Sequence, residues 1–86
     1  MSITRENLIM LAQDLYGDRW RRKLARALGP LHPQGARETI DPRLPARWAT
    51  GERDIPAWVG PAIRGLALAR YEALRAGAIR SGLIEE

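Results

Sequence analysis

Apolar residues recur at helical spacing from the start of the chain. Leu8, Leu11, Ala12, Leu15 and Tyr16 share one face of a helix predicted over Arg5 to Tyr16, with Thr4 placed to cap its first turn and Gly17 to end it. The pattern then restarts. Trp20, Leu24, Ala27 and Leu28 mark the inner face of a second helix from about Arg19 to Leu28, with Asp18 as its cap and Gly29 at the position that favours a left-handed backbone. Pro30, Pro33 and Gly35 interrupt helical and strand periodicity alike, so residues 30 to 40 are predicted as a loop or a small hairpin. Asp41 followed by Pro42 predicts a helix restart that reaches about Thr50. Pro45, which has no amide to give the ladder, moves the start towards Leu44. Leu44 and Trp48, four apart, then face the core and leave Arg43, Ala46, Arg47 and Thr50 outside.

Glu52 to Pro56 is a connection. Pro56 and Pro61 both stand near the start of the longest predicted helix, about residues 57 to 76, whose apolar stripe is Ile63, Leu66, Ala67, Tyr71 and Leu74. Leu68 lies off that stripe and can serve either the core or a partner. After Gly77 a tail carries Ala78, Ile79, Leu83 and Ile84 before ending in Glu85 and Glu86, and it either frays or docks. The predicted architecture is all-α, four helices with an irregular insertion between the second and third, in a single domain spanning residues 1–86. At this length one small core must suffice, burying roughly 60% of the unfolded surface.

Charge changes the picture from fold to function. Nine of the fourteen cations lie between Arg19 and Arg53, which gives that stretch a net charge of +6, against −2 for residues 1–18 and zero for 54–86. Arg19, Arg21, Arg22, Lys23 and Arg26 crowd into eight residues of the second helix, where like charges repel unless a polyanion is near. Thirteen of the fourteen cations are Arg, whose planar fork grips phosphate or a guanine edge through two hydrogen bonds. Double-stranded DNA is the partner that this distribution suits.

Other classes are poorly served. With no cysteine there is no disulfide staple, thiolate zinc site or cysteine nucleophile, which fits a reducing compartment, and cytoplasm is the default. No export signal and no uncharged stretch of 18 residues is present, so the protein is expected to be soluble, with no membrane partner. One histidine, His32, cannot make a multi-histidine metal site, no Gly-rich phosphate cradle exists, and no two carboxylates recur on one evident cleft wall. No enzyme activity, cofactor, metal or small-molecule substrate is expected. Helical spacing assigns Trp20 and Trp48 to the core, whereas Trp58, between two prolines, is placed half-exposed at a dimer seam.

Two short helices near a glycine, the second bearing exposed Arg around a buried Trp, follow the pattern of a helix-turn-helix reader. The run Leu15, Tyr16, Gly17, Asp18, Arg19, Trp20, then Leu24 to Gly29, then Arg47 to Arg53 with Ile55 and Pro56, resembles small phage-type regulators of the lambda-repressor and Cro class, a broad group that includes anti-CRISPR-associated repressors. The similarity covers residues 4 to 75, with about ten extra residues, Pro30 to Thr39, inserted before the recognition helix. A longer loop costs little closure entropy, so the fold survives it.

The resemblance implies base contacts from Arg43, Ala46, Arg47 and Thr50. It implies phosphate contacts from Arg19, Arg21, Arg22, Lys23 and Arg53. The insertion departs from the family, and its His32, Arg37 and Glu38 either add contacts to backbone or groove or are a plain surface elaboration. The implied function is a transcriptional regulator, with repression the expected sign, acting as a homodimer paired through the last helix and tail. The rival from another class is a protein-interaction adaptor, antitoxin-like or polymerase-binding, whose Arg-rich face meets an acidic protein. A basic amphipathic helix lying on anionic membrane is a further, weaker alternative.

Overall fold

In a computed structural model that describes residues 3–84, helix α1 spans Arg5–Tyr16 as its caps predict. Thr4 sits in extended backbone and its Oγ1 accepts from the Asn7 amide at 3.2 Å, which satisfies one of the free donors of the first turn. Gly17 closes the helix at a φ of 77°, its amide donating to the Gln13 carbonyl at 2.7 Å. The remaining helices are α2 (Trp20–Leu28), α3 (Leu44–Thr50) and α4 (Val59–Arg80). The chain is all-helical, 65% helix, with no strand among the described residues.

Two expectations about α2 are corrected. Asp18 does not cap it, because the helix begins at Trp20 and Arg19 takes the cap position with no side-chain bond, so Asp18 lies one residue too early. Gly29 is not left-handed either. Its φ is −51°, and α2 runs on through it into a 3₁₀ turn, Gly29–Leu31. Glycine is required there for space: a Cβ would fall 2.6 Å from the Arg37 carbonyl oxygen and 2.7 Å from the Thr39 backbone. The chain from 32 to 40 folds back over the end of α2, where the Arg37 amide donates to the Gly29 carbonyl and the Ile40 amide to the Ala25 carbonyl, both at 3.1 Å. These amides are spent on α2, so the insertion is a loop and the hairpin alternative is not realised. Ile40 is buried beneath it and completes the core.

Because backbone and not a flexible side chain opposes that Cβ, Gly29→Ala is expected to destabilise the protein by about 1–3 kcal/mol. A thermal melt followed by circular dichroism should show the midpoint falling by roughly 4–8 °C for each of those kcal/mol. An unchanged midpoint would mean that the loop detaches freely from α2.

Helix α3 starts at Leu44. Asp41 serves the turn before it, its Oδ1 accepting from the Arg43 amide and its carbonyl from the Leu44 amide, each at 3.0 Å. Pro45 then falls in the first turn, where a missing amide costs nothing, and its ring is buried. Gly51 ends α3 at a φ of 82°.

One buried cluster joins the elements: Leu8 and Ala12 of α1, Trp20, Leu24, Ala25 and Leu28 of α2, Ile40, Trp48 of α3, and Val59 and Ile63 of α4. Helix α1 touches all three other helices, and α2 also touches α3 and α4. The predicted stripe of α4 is only partly used. Ile63 is buried and Leu66 and Ala67 are half-buried, but Tyr71 is 63% and Leu74 61% exposed. The reason is length. Helix α4 continues four residues past the predicted end at Ala76, while α1 ends at Tyr16, so no other helix among the described residues lies alongside the turn of Tyr71 and Leu74. Gly82, at a φ of 78°, stops α4, with its amide donating to Ile79 and that of Leu83 to Ala78. Glu85 and Glu86 of the predicted tail lie outside the described residues. No helix among the described residues is long and apolar enough to cross a membrane.

Candidate nucleic-acid interface

Burial of Trp20, Leu24 and Leu28 turns the opposite side of α2 outward, and with it Arg19, Arg22, Lys23 and Arg26. Spaced at i, i+3, i+4 and i+7, the four line a shallow concavity of about 410 Å³ that runs roughly 10 Å along the helix. All four are exposed, and among the described residues none has a carboxylate within ion-pair distance. No acidic residue occupies the first turn of α2, so the positive end of the helix dipole adds to their field. Such a surface attracts a row of anionic oxygens. Arg21, expected with this group, points elsewhere: its guanidinium sits 5.0 Å from the centroid of the Trp20 ring.

The cations of α3 are already engaged. Arg43 forms a fork with Asp41, Nε to Oδ1 at 3.1 Å and Nη2 to Oδ2 at 3.0 Å, on a side chain that is 73% exposed. Those bonds, and the one from the Arg43 amide, hold the Asp41 carboxyl below the usual carboxylate range, and the same partner raises Arg43. The fork uses one edge of the guanidinium. The edge formed by Nη1 and the second Nη2 proton stays free, and it carries two parallel donors.

Arg47 is less available. Its side chain is 32% exposed, with Nε 3.9 Å from Glu52 Oε2, a distance that is ionic without being a hydrogen bond. Ala46 beside it is half-buried. Thr50 is exposed, yet its hydroxyl donates to the Arg47 carbonyl at 3.2 Å and accepts from the Glu52 amide at 3.4 Å, so it helps to close the helix.

The insertion places its two candidates differently. His32 packs its ring against Trp58 at 5.1 Å and uses Nδ1 to accept from the Gln34 amide at 3.1 Å, whereas the Arg37 side chain is exposed. Trp58 is half-buried and packs against the core. Arg53 lines a depression with Arg5, Trp48 and Asp54. Arg5 escaped the sequence reading. Its guanidinium crosses from α1 to the end of α3, where a Cβ on Gly51 would fall 2.5 Å from Nη2, a long-range approach with no local signature.

Compared with protein-family models, with curated proteins and with solved structures, the chain matches none.

Proposed function

We propose that this protein is a sequence-specific double-stranded DNA-binding regulator of transcription, acting as a repressor, with α2 against the phosphate backbone and α3 in the major groove. The observation that carries this reading is the ladder of Arg19, Arg22, Lys23 and Arg26 on α2, unpaired among the described residues. Neutralised phosphates release counterions, and that favours association on a surface built this way. The arrangement α2, loop, α3 around Trp20 and Trp48 supports the resemblance to helix-turn-helix regulators, although the fold-back of residues 32–40 makes the turn much longer than theirs.

Specificity is assigned to Arg43 first. Asp41 fixes the guanidinium so that its free edge presents two donors, the pattern that O6 and N7 of guanine accept. Arg47, closer to the protein, adds to it once Glu52 releases it. Arg53 and Arg5 at the end of α3, and Arg37 in the insertion, supply further phosphate contacts.

Sequencing oligonucleotides retained from a random pool should recover a preferred site with an inverted repeat, its half-sites about one helical turn apart. On that site Arg43→Ala should cut the preference for the contacted base by roughly 5- to 150-fold, and Asp41→Asn should do so to a smaller extent by freeing the guanidinium. Equal losses on preferred and random duplex would remove Arg43 from base reading.

A second reading is favoured by one observation. Asp41 and Glu52 lie against Arg43 and Arg47, which supports a face that receives acidic side chains, as an adaptor for an acidic protein would require. Titration against sheared duplex DNA and against an unrelated acidic protein at one salt concentration separates the two readings, since the adaptor gives no duplex shift below micromolar levels.

A further inference from the structure

Helix α1 runs beside α4 in the same direction, with Ile3 close to Gly60 at one end and Tyr16 within electrostatic reach of Arg70 at the other. Asn7, Met10 and Leu11, at i, i+3 and i+4, turn one face of α1 to the gap between the helices, and Pro61, Arg64, Gly65 and Leu68 turn one face of α4 to it. The result is an open groove of about 620 Å³. From Gly60 to Leu68 it is about 12 Å long. Its walls are mostly apolar, and two of them, Met10 and Leu68, are left more than half exposed.

Two features give the groove a chemistry. Arg64 and Asn7 are its polar groups, and the parallel run of the helices sets them about level on opposite walls. No acidic residue lines it, and among the described residues Arg64 has no carboxylate within ion-pair distance. Gly65 supplies room. A glycine inside a helix weakens it, and here, unlike at Gly29, no neighbouring atom requires one, since a Cβ would meet nothing within 4 Å.

We infer that this groove is a binding site for an amphipathic carboxylate, its head held by Arg64 and the Asn7 side-chain amide, its alkyl chain laid along Met10, Leu11 and Leu68 over the bare backbone at Gly65. A guanidinium offers two parallel donors to the two oxygens of a carboxylate, which a cation or an uncharged hydrocarbon would leave unused. The volume is that of a small-ligand site, whereas a partner helix of the groove's length and about 10 Å across would need about 900 Å³. Leu68, which lies off the core-facing stripe of α4, thereby has a use. No single stretch of sequence carries the site, because it forms only where two helices run side by side. It takes no residue from α2 or α3, so ligand binding here is separable from any contact with duplex.

Decanoate is the probe. Methionine occurs twice in the chain, so labelling its methyl groups gives two NMR signals, and the one lost in Met10→Leu reports on the groove. In a titration that signal should move saturably, with a Kd of about 0.1–1 mM, as suits a small ligand partly covered by an open groove. Octanoate, shorter by two methylenes, should bind about 4- to 15-fold more weakly. Arg64→Gln should weaken decanoate binding by about 2- to 5-fold, the range of an exposed charge pair, and leave decanol binding unchanged. In Gly65→Leu the new side chain leans towards Pro61 and fills the groove, so decanoate binding should be lost. The thermal midpoint of that variant should be no lower than the parent's, leucine being the better helix former.

No saturable movement of the Met10 signal up to about 5 mM decanoate overturns the inference. So does a Gly65→Leu variant that keeps the parent's affinity, which would place the ligand elsewhere. Equal effects on decanoate and decanol in Arg64→Gln overturn it as well, since Arg64 would then not recognise the carboxylate.

Discussion

Trp48→Ala is expected to remove about 3–5 kcal/mol of the protein's stability, the largest loss that any single truncation in this core should cause. Trp48 is 2% exposed and is the one large side chain by which α3, only seven residues long, is fixed in the core. A helix of two turns has no stability of its own in water, since nucleation costs more than so few ladder bonds return. Truncating a buried Trp costs about 3–5 kcal/mol. A domain of this length has a total of only about 4–13 kcal/mol. The melting midpoint should therefore fall by at least about 12 °C, with loss of near-ultraviolet circular dichroism at room temperature if the total lies at the low end of that range. A fall below about 5 °C would mean that α3 is held by Leu44 and Pro45, or by the turn at Asp41, and that the orientation of Arg43 and Arg47 does not depend on the tryptophan.

How far the sequence could be read depended on how local each cause is. Thr4 and Gly17 bound α1 through contacts within four residues, so both ends were legible. Gly29 was misread because its need for a bare backbone comes from Arg37 and Thr39 folding back upon it, a contact that no window around residue 29 contains. The same return of the chain turned the insertion into a lid on α2 whose amides serve Ala25 and Gly29. In α4 the apolar period located the stripe, but period says nothing about whether a neighbour reaches along it, and α1 stops at Tyr16. Gly77 looked like a terminus, yet the helix passes through it to the equally available Gly82.

The candidate site divides in the same way. The α2 ladder was legible because its four residues share one helix face. The fork between Asp41 and Arg43 needs only two residues of separation and could have been suspected from a capping Asp followed closely by Arg. The approach of Arg5 to Gly51 could not.

Replacing Arg19, Arg22, Lys23 and Arg26 together by Gln is expected to separate binding from stability, moving them in opposite directions. In the folded chain these four make like-charge pairs at i, i+3 and i, i+4, which are mildly unfavourable, and among the described residues they have no carboxylate partner to lose. The variant should therefore melt at the same temperature as the parent or slightly above it.

Binding should behave otherwise. If each of the four neutralises one phosphate, together they contribute about 3.6 to the slope of log affinity against log salt. That is about a 150-fold loss of affinity for the parent between 50 and 200 mM salt. The variant should lose that part of the salt dependence and bind all duplexes weakly at low salt, preferred and random alike, because phosphate contacts hold the protein in place without reading bases. Residual preference for the selected site would persist through Arg43. A variant that melts higher and keeps the parent's affinity and salt slope would show that the α2 ladder meets no duplex, and the proposed function would fall with it. A variant that loses affinity for DNA together with its helical circular dichroism would contradict the stability argument, since nothing in the packing of α2 requires these four side chains.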